Sequence, residues 1–178
     1  HLMRLFQAMA MHIWASRNEL EARVAERTAA LEQSEQRLRH MAQHDPLTGL
    51  ANRALFTDRL QQALAAAHRD HTQVALLFLD LDNFKPVNDQ YGHAMGDELL
   101  KVAASRMQGC LRDSDTVARI GGDEFVLLLR SLGAPASHTA LAVAEKIRAA
   151  LSQPLELAGH ALQISCSIGV ALYPDHAL

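Results

Sequence analysis

The chain is expected to fold in the α+β class, as a central antiparallel sheet flanked by helices behind one long amino-terminal helix. Three observations carry this expectation. Residues 3 to about 43 contain neither Gly nor Pro. Beyond them, short apolar runs alternate with apolar positions at helical spacing. Two of those runs flank the tripeptide GGD at 121–123, the length of a hairpin turn. A chain of 178 residues that is 49% hydrophobic can build one such core with length to spare.

The elements follow in order. In the first stretch Leu20, Val24, Leu31, Leu38 and Met41 recur on steps of three or four, with gaps at Arg27 and Ser34. This predicts a coiled-coil seam with a polar middle, since a lone helix of this length has little else to bury. Residues 1–43 are assigned to this signalling or dimerisation helix, and 44–178 to a separate domain. Asp45 before Pro46 stops the helix, Gly49 turns the chain, and Asn52 caps the next helix, whose face is Leu55, Phe56, Leu60 and Leu64. VALLFLD, 74–80, is a continuous apolar run and predicts a strand buried on both faces. Leu99, Ala103, Met107 and Cys110 share a helical face within 94–111. TVARIG, 116–121, and EFVLLL, 124–129, are the two strands of the hairpin. Residues 137–152 predict a helix capped by Ser137, with Val143, Ile147 and Leu151 inward. Residues 161–174 alternate Ile164, Cys166, Ile168, Val170 and Leu172 with small residues, a last strand. The order helix–β–α–β–β–α–β is that of a ferredoxin-like sheet with helices on one face.

Composition excludes several functions. A formal charge of −3 offers no basic footprint for nucleic acid, and 4% aromatic residues offer no stacking platform for single strands. Cys110 and Cys166 match no zinc or redox spacing, which predicts a reducing compartment and two small buried side chains. His40 and His44 lie one helical turn apart without a third ligand. The opening HLMRLFQAMAMHIWA is broken by Arg4, Gln7 and His12, too short for a membrane span and without a signal-peptide cleavage site. No membrane contact is expected within these residues. The chain starts at His1 rather than Met, so a piece of a longer protein is expected.

The carboxylates carry the chemistry. Asp80 closes the first strand and Asp82 follows it, while Asp123 and Glu124 follow the two glycines. A charge on a buried strand is costly, so Asp80 should sit at the strand end, facing a cavity or a cation. In a ferredoxin-like order the first strand neighbours the hairpin, which would gather Asp80, Asp82, Asp123 and Glu124 at one edge. Like charges gathered there repel unless a cation intervenes. Oxygen donors favour Mg²⁺ or Mn²⁺, with nucleotide phosphates completing an open shell. Glycine lets a backbone approach a ligand where a Cβ would clash. The alternative is an ordinary glycine-rich turn with solvated acids.

The segments DPLTGLANR, FLDLDNFKPVNDQYGHAMGDELL and GGDEF, in this order between residues 44 and 174, resemble the GGDEF family of diguanylate cyclases. The resemblance implies the palm fold of nucleotidyl cyclases and the joining of two GTP into cyclic di-GMP with release of pyrophosphate. It implies two Mg²⁺ (or Mn²⁺) per active site on Asp80, Asp123 and the Leu81 carbonyl. Glu124 would bind metal or help deprotonate the attacking hydroxyl. The Gly121–Gly122 backbone would approach the triphosphate, and Lys85, otherwise a solvated helix lysine, would contact phosphate. Asn88 and Asp97 would read guanine, because a carboxylate accepts from guanine N1–H and N2–H₂ together and adenine cannot satisfy it. By itself Asp97 is only an acid near a helix start. Arg112 and Asp115 match the family's inhibitory R-x-x-D, where product binds; alone they read as a local surface ion pair. His93 fits the pattern as a structural residue. A homodimer through the first helix, a cytoplasmic setting, free or as the cytoplasmic part of a larger membrane-tethered bacterial sensor, and one more helix and strand after Leu178 are also implied. The rival that the resemblance allows is a weakly catalytic GTP-sensing module regulating an appended phosphodiesterase domain.

Overall fold

A computed structural model describes residues 2–176, and it divides into two compact units, 1–42 and 43–178. The first is the helix α1 (Leu2–Gln43). Its described side chains up to Ala42 are all exposed, including Leu20, Val24, Leu31, Leu38 and Met41. Arg23 and Arg39 each bond a glutamate four residues earlier at 2.6 Å. Exposed pairs of this kind contribute a few tenths of a kcal/mol, so they hold the helix without covering its apolar seam.

The second unit opens on a turn tied by Asp45, whose Oδ2 accepts from Thr48 N–H at 2.8 Å and from the Thr48 hydroxyl at 2.7 Å. The helix α2 (Arg53–Asp70) follows, its start capped by Asn52, which accepts from Leu55 N–H at 3.0 Å. Then come β1 (Gln73–Asp82), α3 (Phe84–Tyr91), α4 (His93–Gln108), β2 (Thr116–Gly121), β3 (Glu124–Leu132), α5 (Ala136–Leu151), β4 (Leu155–Leu157), β5 (His160–Leu162) and β6 (Ser165–Tyr173). The main sheet has the order β2-β3-β1-β6, with every neighbouring pair antiparallel. This is the ferredoxin-like arrangement.

Strand alternation sends Ala75, Leu77, Leu79, Leu81, Phe125, Leu127 and Leu129 to one face. There they pack on Leu99, Ala103 and Met107 of α4 and on Ile147 and Leu151 of α5. Each such leucine, fully buried, contributes roughly 1.5–3 kcal/mol. Arg106 fixes the end of α5 by donating to the carbonyls of Leu151, Gln153 and Pro154.

Four expectations need correction. The first strand is not buried on both faces: Leu76 is half-buried and Phe78 is 46% exposed. Nor do the helices share one face, because α2 packs Phe56, Ala63 and Ala67 against Val74, Ala118, Val126 and Leu128 on the other. That helix covers only the start of β1 and leaves the face open near Phe78 and Asp80. The helix after β3 starts at Ala136 behind Pro135, with no side-chain cap, so Ser137 is not its cap. Residues 161–174 are not one strand but split between β5 and β6, since the first part turns back to pair with β4. Cys110 and Cys166 are both buried, Cys110 just beyond the end of α4. Burial, helped by the Asp82 charge, pushes the Cys166 thiol up to about 11. Among the described residues no helix is long and apolar enough to cross a membrane.

Candidate functional site

The register of β1 against β3 sets Asp80 directly opposite Glu124. Opposed residues of an antiparallel pair point to the same face, here the one that α2 leaves open. The next residue, Leu81, donates its N–H to the Asp123 carbonyl at 3.4 Å, which draws the hairpin turn onto the end of β1. In that turn Gly121 pairs with Glu124, leaving Gly122 and Asp123 as the two turn residues. Gly122 has φ +53°, where a side chain is strained and glycine is not. A Cβ on either glycine would meet nothing within 4 Å, so the space before them is open.

The electrostatics follow from that geometry. The Asp80 carboxyl is pushed above its ordinary value, first by burial and then by the charges of Asp123, Glu124 and Asp82. Asp82, expected at the same edge, is already engaged there. Its oxygens already accept the hydroxyls of Ser165 at 2.6 Å and Ser167 at 2.8 Å on β6. Asp80, Asp123, Glu124 and the Leu81 backbone remain as oxygen donors at this edge. Among the described residues no three acidic, His or Cys side chains converge into a closed metal cage. The donor set fits a hard divalent cation that keeps most of its shell for water or phosphate oxygens.

Two residues to which the sequence reading gave no role at the site hold the hairpin in place. Arg119 donates from Nε to the Gly122 carbonyl at 2.9 Å, while its Nη1 reaches both Asp45 carboxylate oxygens at 3.2 Å. Their side chains are 14% and 17% exposed. Burial raises the Asp45 pKa, but the Thr48 hydrogen bonds and the Arg119 guanidinium outweigh it and hold the carboxyl below its ordinary value. Asp45 stands 74 residues from Arg119, so no local pattern announces the pair. The only sequence signals are an acid in DPLTGLANR and a base two residues before the glycines.

Asn88 and Asp97 lie on the packed pair α3 and α4. The Asn88 side chain rests on Gly96, the residue before Asp97. Its Oδ1 is buried and takes no hydrogen bond among the described residues. A buried acceptor without a donor is uncommon and marks a place for a ligand donor. Asp97 is exposed beside it, and Lys85 is exposed on α3. Arg112 and Asp115 stand apart, at the opposite end of β2 from the glycines. Asp115 accepts the backbone N–H of Arg112 at 3.1 Å, not its guanidinium. The loop borders a cavity of about 260 Å³, also lined by Arg59, Asp113 and Thr116.

Comparison with known proteins agrees with this fold. Residues 42–178 match the family model described as diguanylate cyclase, GGDEF domain. The bifunctional diguanylate cyclase/cyclic di-GMP phosphodiesterase MucR of Pseudomonas aeruginosa is 46% identical over 167 residues, 94% of this chain and 24% of its own. Diguanylate cyclase TpbB of the same organism is 47% identical over 150 residues, 84% of this chain and 34% of its own. The chain thus spans about a quarter to a third of the length of these curated relatives. The crystal structure of the coiled coil and GGDEF domain of DgcB from Caulobacter crescentus, in complex with c-di-GMP, superposes with a TM-score of 0.72 at 35% identity. It covers 86% of this chain and 82% of that one. Because the family match takes in the whole sheet, its helices and the glycine hairpin, the chain belongs to the GGDEF-domain family of diguanylate cyclases.

Proposed function

We propose that this domain condenses two GTP into cyclic di-GMP and releases pyrophosphate. The observation that carries the reading is the register of Asp80 opposite Glu124, beside a glycine turn with open space before it. Asp80, Asp123 and the Leu81 carbonyl would hold Mg²⁺ or Mn²⁺, with Glu124 as a further ligand. When bound, the cation supplies charge stabilisation at the α-phosphate and the departing pyrophosphate and makes the 3′-hydroxyl more acidic. Glu124 takes the hydroxyl proton as the new ester bond forms. The Gly121–Gly122 backbone lets the triphosphate lie close, and Lys85 neutralises part of its charge. Asn88 and Asp97 read guanine. Each chain holds one GTP, so two chains must face each other, and α1 sets how often and in which orientation they do. Product returning to Arg112 and Asp115 slows the enzyme.

A second reading has one observation in its favour: among the described residues no three acidic, His or Cys side chains are already arranged to hold a metal ion. On that reading the domain binds GTP, turns it over weakly and regulates a phosphodiesterase domain, a pairing that MucR's description contains. Incubation of the protein with GTP and Mg²⁺ separates the two by the appearance of cyclic di-GMP. Asp123→Ala should abolish product and leave the circular dichroism spectrum unchanged. Product from that variant at the wild-type rate overturns the site assignment; tight GTP binding without product selects the second reading.

A further inference from the structure

Gly96 is buried inside α4, and its φ lies outside the left-handed region. Nothing in the backbone asks for glycine there, and glycine in a helix interior is less favourable than alanine. The reason lies in the space above it. A Cβ on Gly96 would clash with Asn88 Oδ1, stand 2.9 Å from Asn88 Cγ and lie 3.2 Å from Phe84 Cζ. The Asn88 amide occupies the volume that an alanine methyl would take. That same Oδ1 is the buried acceptor with no donor among the described residues.

We propose that Gly96 is the positioning residue that seats Asn88 as acceptor for the exocyclic 2-amino group of guanine. It thereby sets the preference for GTP over purine nucleotides that lack this amine. The proposal rests on the guanine reading of α3 and α4 given above. An amide oxygen can only accept, and the guanine edge carries its donors at N1–H and at the 2-amino group. A carboxylate at Asp97 accepts N1–H and one amine hydrogen together. The second amine hydrogen then needs its own acceptor, and Asn88 Oδ1 is the free acceptor next to Asp97. Hypoxanthine keeps N1–H and lacks the amine, so inosine nucleotides leave Oδ1 as unsatisfied as it is without ligand. An alanine at 96 pushes the amide off its seat, and the site rewards the amine through Asp97 alone.

The test compares equilibrium binding of α,β-methylene GTP and its inosine counterpart, neither of which can lose pyrophosphate. The unmodified protein should prefer the guanine analogue by roughly tenfold through the Asn88 bond, the scale of one buried hydrogen bond, and by a further, smaller factor through the exposed Asp97. Gly96→Ala should lower that ratio roughly tenfold, to the part that Asp97 supplies, while leaving inosine affinity nearly unchanged. A merely structural defect would weaken both analogues alike. Asn88→Ala adds no atoms and should give the same loss of discrimination, which keeps the test independent of how well Gly96→Ala folds. In the Asn88→Ala background, Gly96→Ala should change the guanine-to-inosine ratio no further, because the Asn88 atoms it clashes with are gone and the remaining 3.2 Å approach to Phe84 Cζ bears on both analogues alike. An unchanged ratio in Gly96→Ala, or equal weakening of both analogues, overturns the role of Gly96. If the unmodified protein does not prefer guanine over adenine nucleotides, the guanine reading itself falls.

Discussion

Replacing Asp80 with asparagine should make the metal-free protein more stable while destroying its response to Mg²⁺. The magnitude follows from the register. Asp80 lies opposite Glu124, and directly opposed residues hold their Cβ atoms about 5 Å apart. Two unit charges at about 5 Å repel by ~0.8 kcal/mol in water and ~3 kcal/mol at an effective dielectric of about 20. Asp80 is half-buried on an open face, so the lower end applies to each neighbour. Asp123 and Asp82 add smaller amounts, and relief of about 1–2 kcal/mol in all is expected. For a domain of this size that is a rise in Tm of roughly 3–6 °C. The pH dependence has a definite sign. Burial, then Asp123, Glu124 and Asp82, raise the native pKa of Asp80 above 3.8. A raised carboxyl stabilises the fold while protonated, and that contribution is lost as pH rises through its native value. In EDTA the unmodified protein should therefore lose stability from about pH 4 upward through this group, and Asp80→Asn should not. Mg²⁺ should raise the Tm of the unmodified protein at neutral pH and leave that of the variant alone. Thermal unfolding with EDTA and with Mg²⁺, at acidic and neutral pH, measures all of this. A variant less stable than its parent in EDTA at neutral pH, or one that Mg²⁺ stabilises equally, would refute the reasoning.

Arg119→Ala leaves Asp45 without its cation and the Gly122 carbonyl without its donor, and should cost about 2 kcal/mol in urea unfolding. Because the Asp45 carboxyl is held low, its contribution is present above about pH 4 and lost as pH falls below that, so Asp45→Asn should show a flatter acid limb than its parent. Leu31→Asp with Leu38→Asp should convert dimer to monomer in sedimentation and lower cyclic di-GMP production at least tenfold, with the circular dichroism of residues 43–178 preserved. Unchanged association and turnover in that variant would remove α1 from the mechanism.

Much of the architecture is written in local patterns, and the parts that are not have a common cause. VALLFLD and EFVLLL are long apolar runs, so both strands are visible, and GGD between two such runs announces its hairpin. From the implied topology, the neighbourhood of Asp80 and Glu124 follows without any contact being known. What covers each strand face does not follow. The run 74–80 is apolar at Phe78 as well as at Leu77 and Leu79, yet Phe78 is 46% exposed and the leucines are buried. Hydropathy reports what a residue can bury, not whether a helix arrives above it. The same holds for polar partners brought from afar. Ser165 and Ser167 are small residues in an alternating strand by pattern, and only the β1–β6 register sets them opposite Asp82 and Asp80. Arg119 and Asp45 meet through the parallel bridge of Ala51 to Ala118, a contact no periodicity encodes.

That uncovered face bears on how the proposed reaction would be organised. One side of the sheet is sealed by α4 and α5, and α2 seals the other only as far as Val74, Val126 and Leu128. The acids and the glycine turn lie beyond this cover, with a large exposed side chain, Phe78, two residues before Asp80 on the same strand. An enzyme that binds both reactants in one chain gains by enclosing them, because exclusion of water strengthens every charge contact. Here one chain supplies an edge and not a cleft. A half-site left open in this way suits a reaction between two identical nucleotides, each presented by its own copy. On the proposed reading, the second copy would supply the missing wall together with the second substrate. Water exclusion and substrate approach become one event. Control then needs no change within either domain. A helix that alters how two copies meet alters the local concentration and the alignment of the half-sites, and both enter the rate directly. On the proposed reading, the polar steps at Arg27 and Ser34 in α1 would weaken the pairing of the two helices.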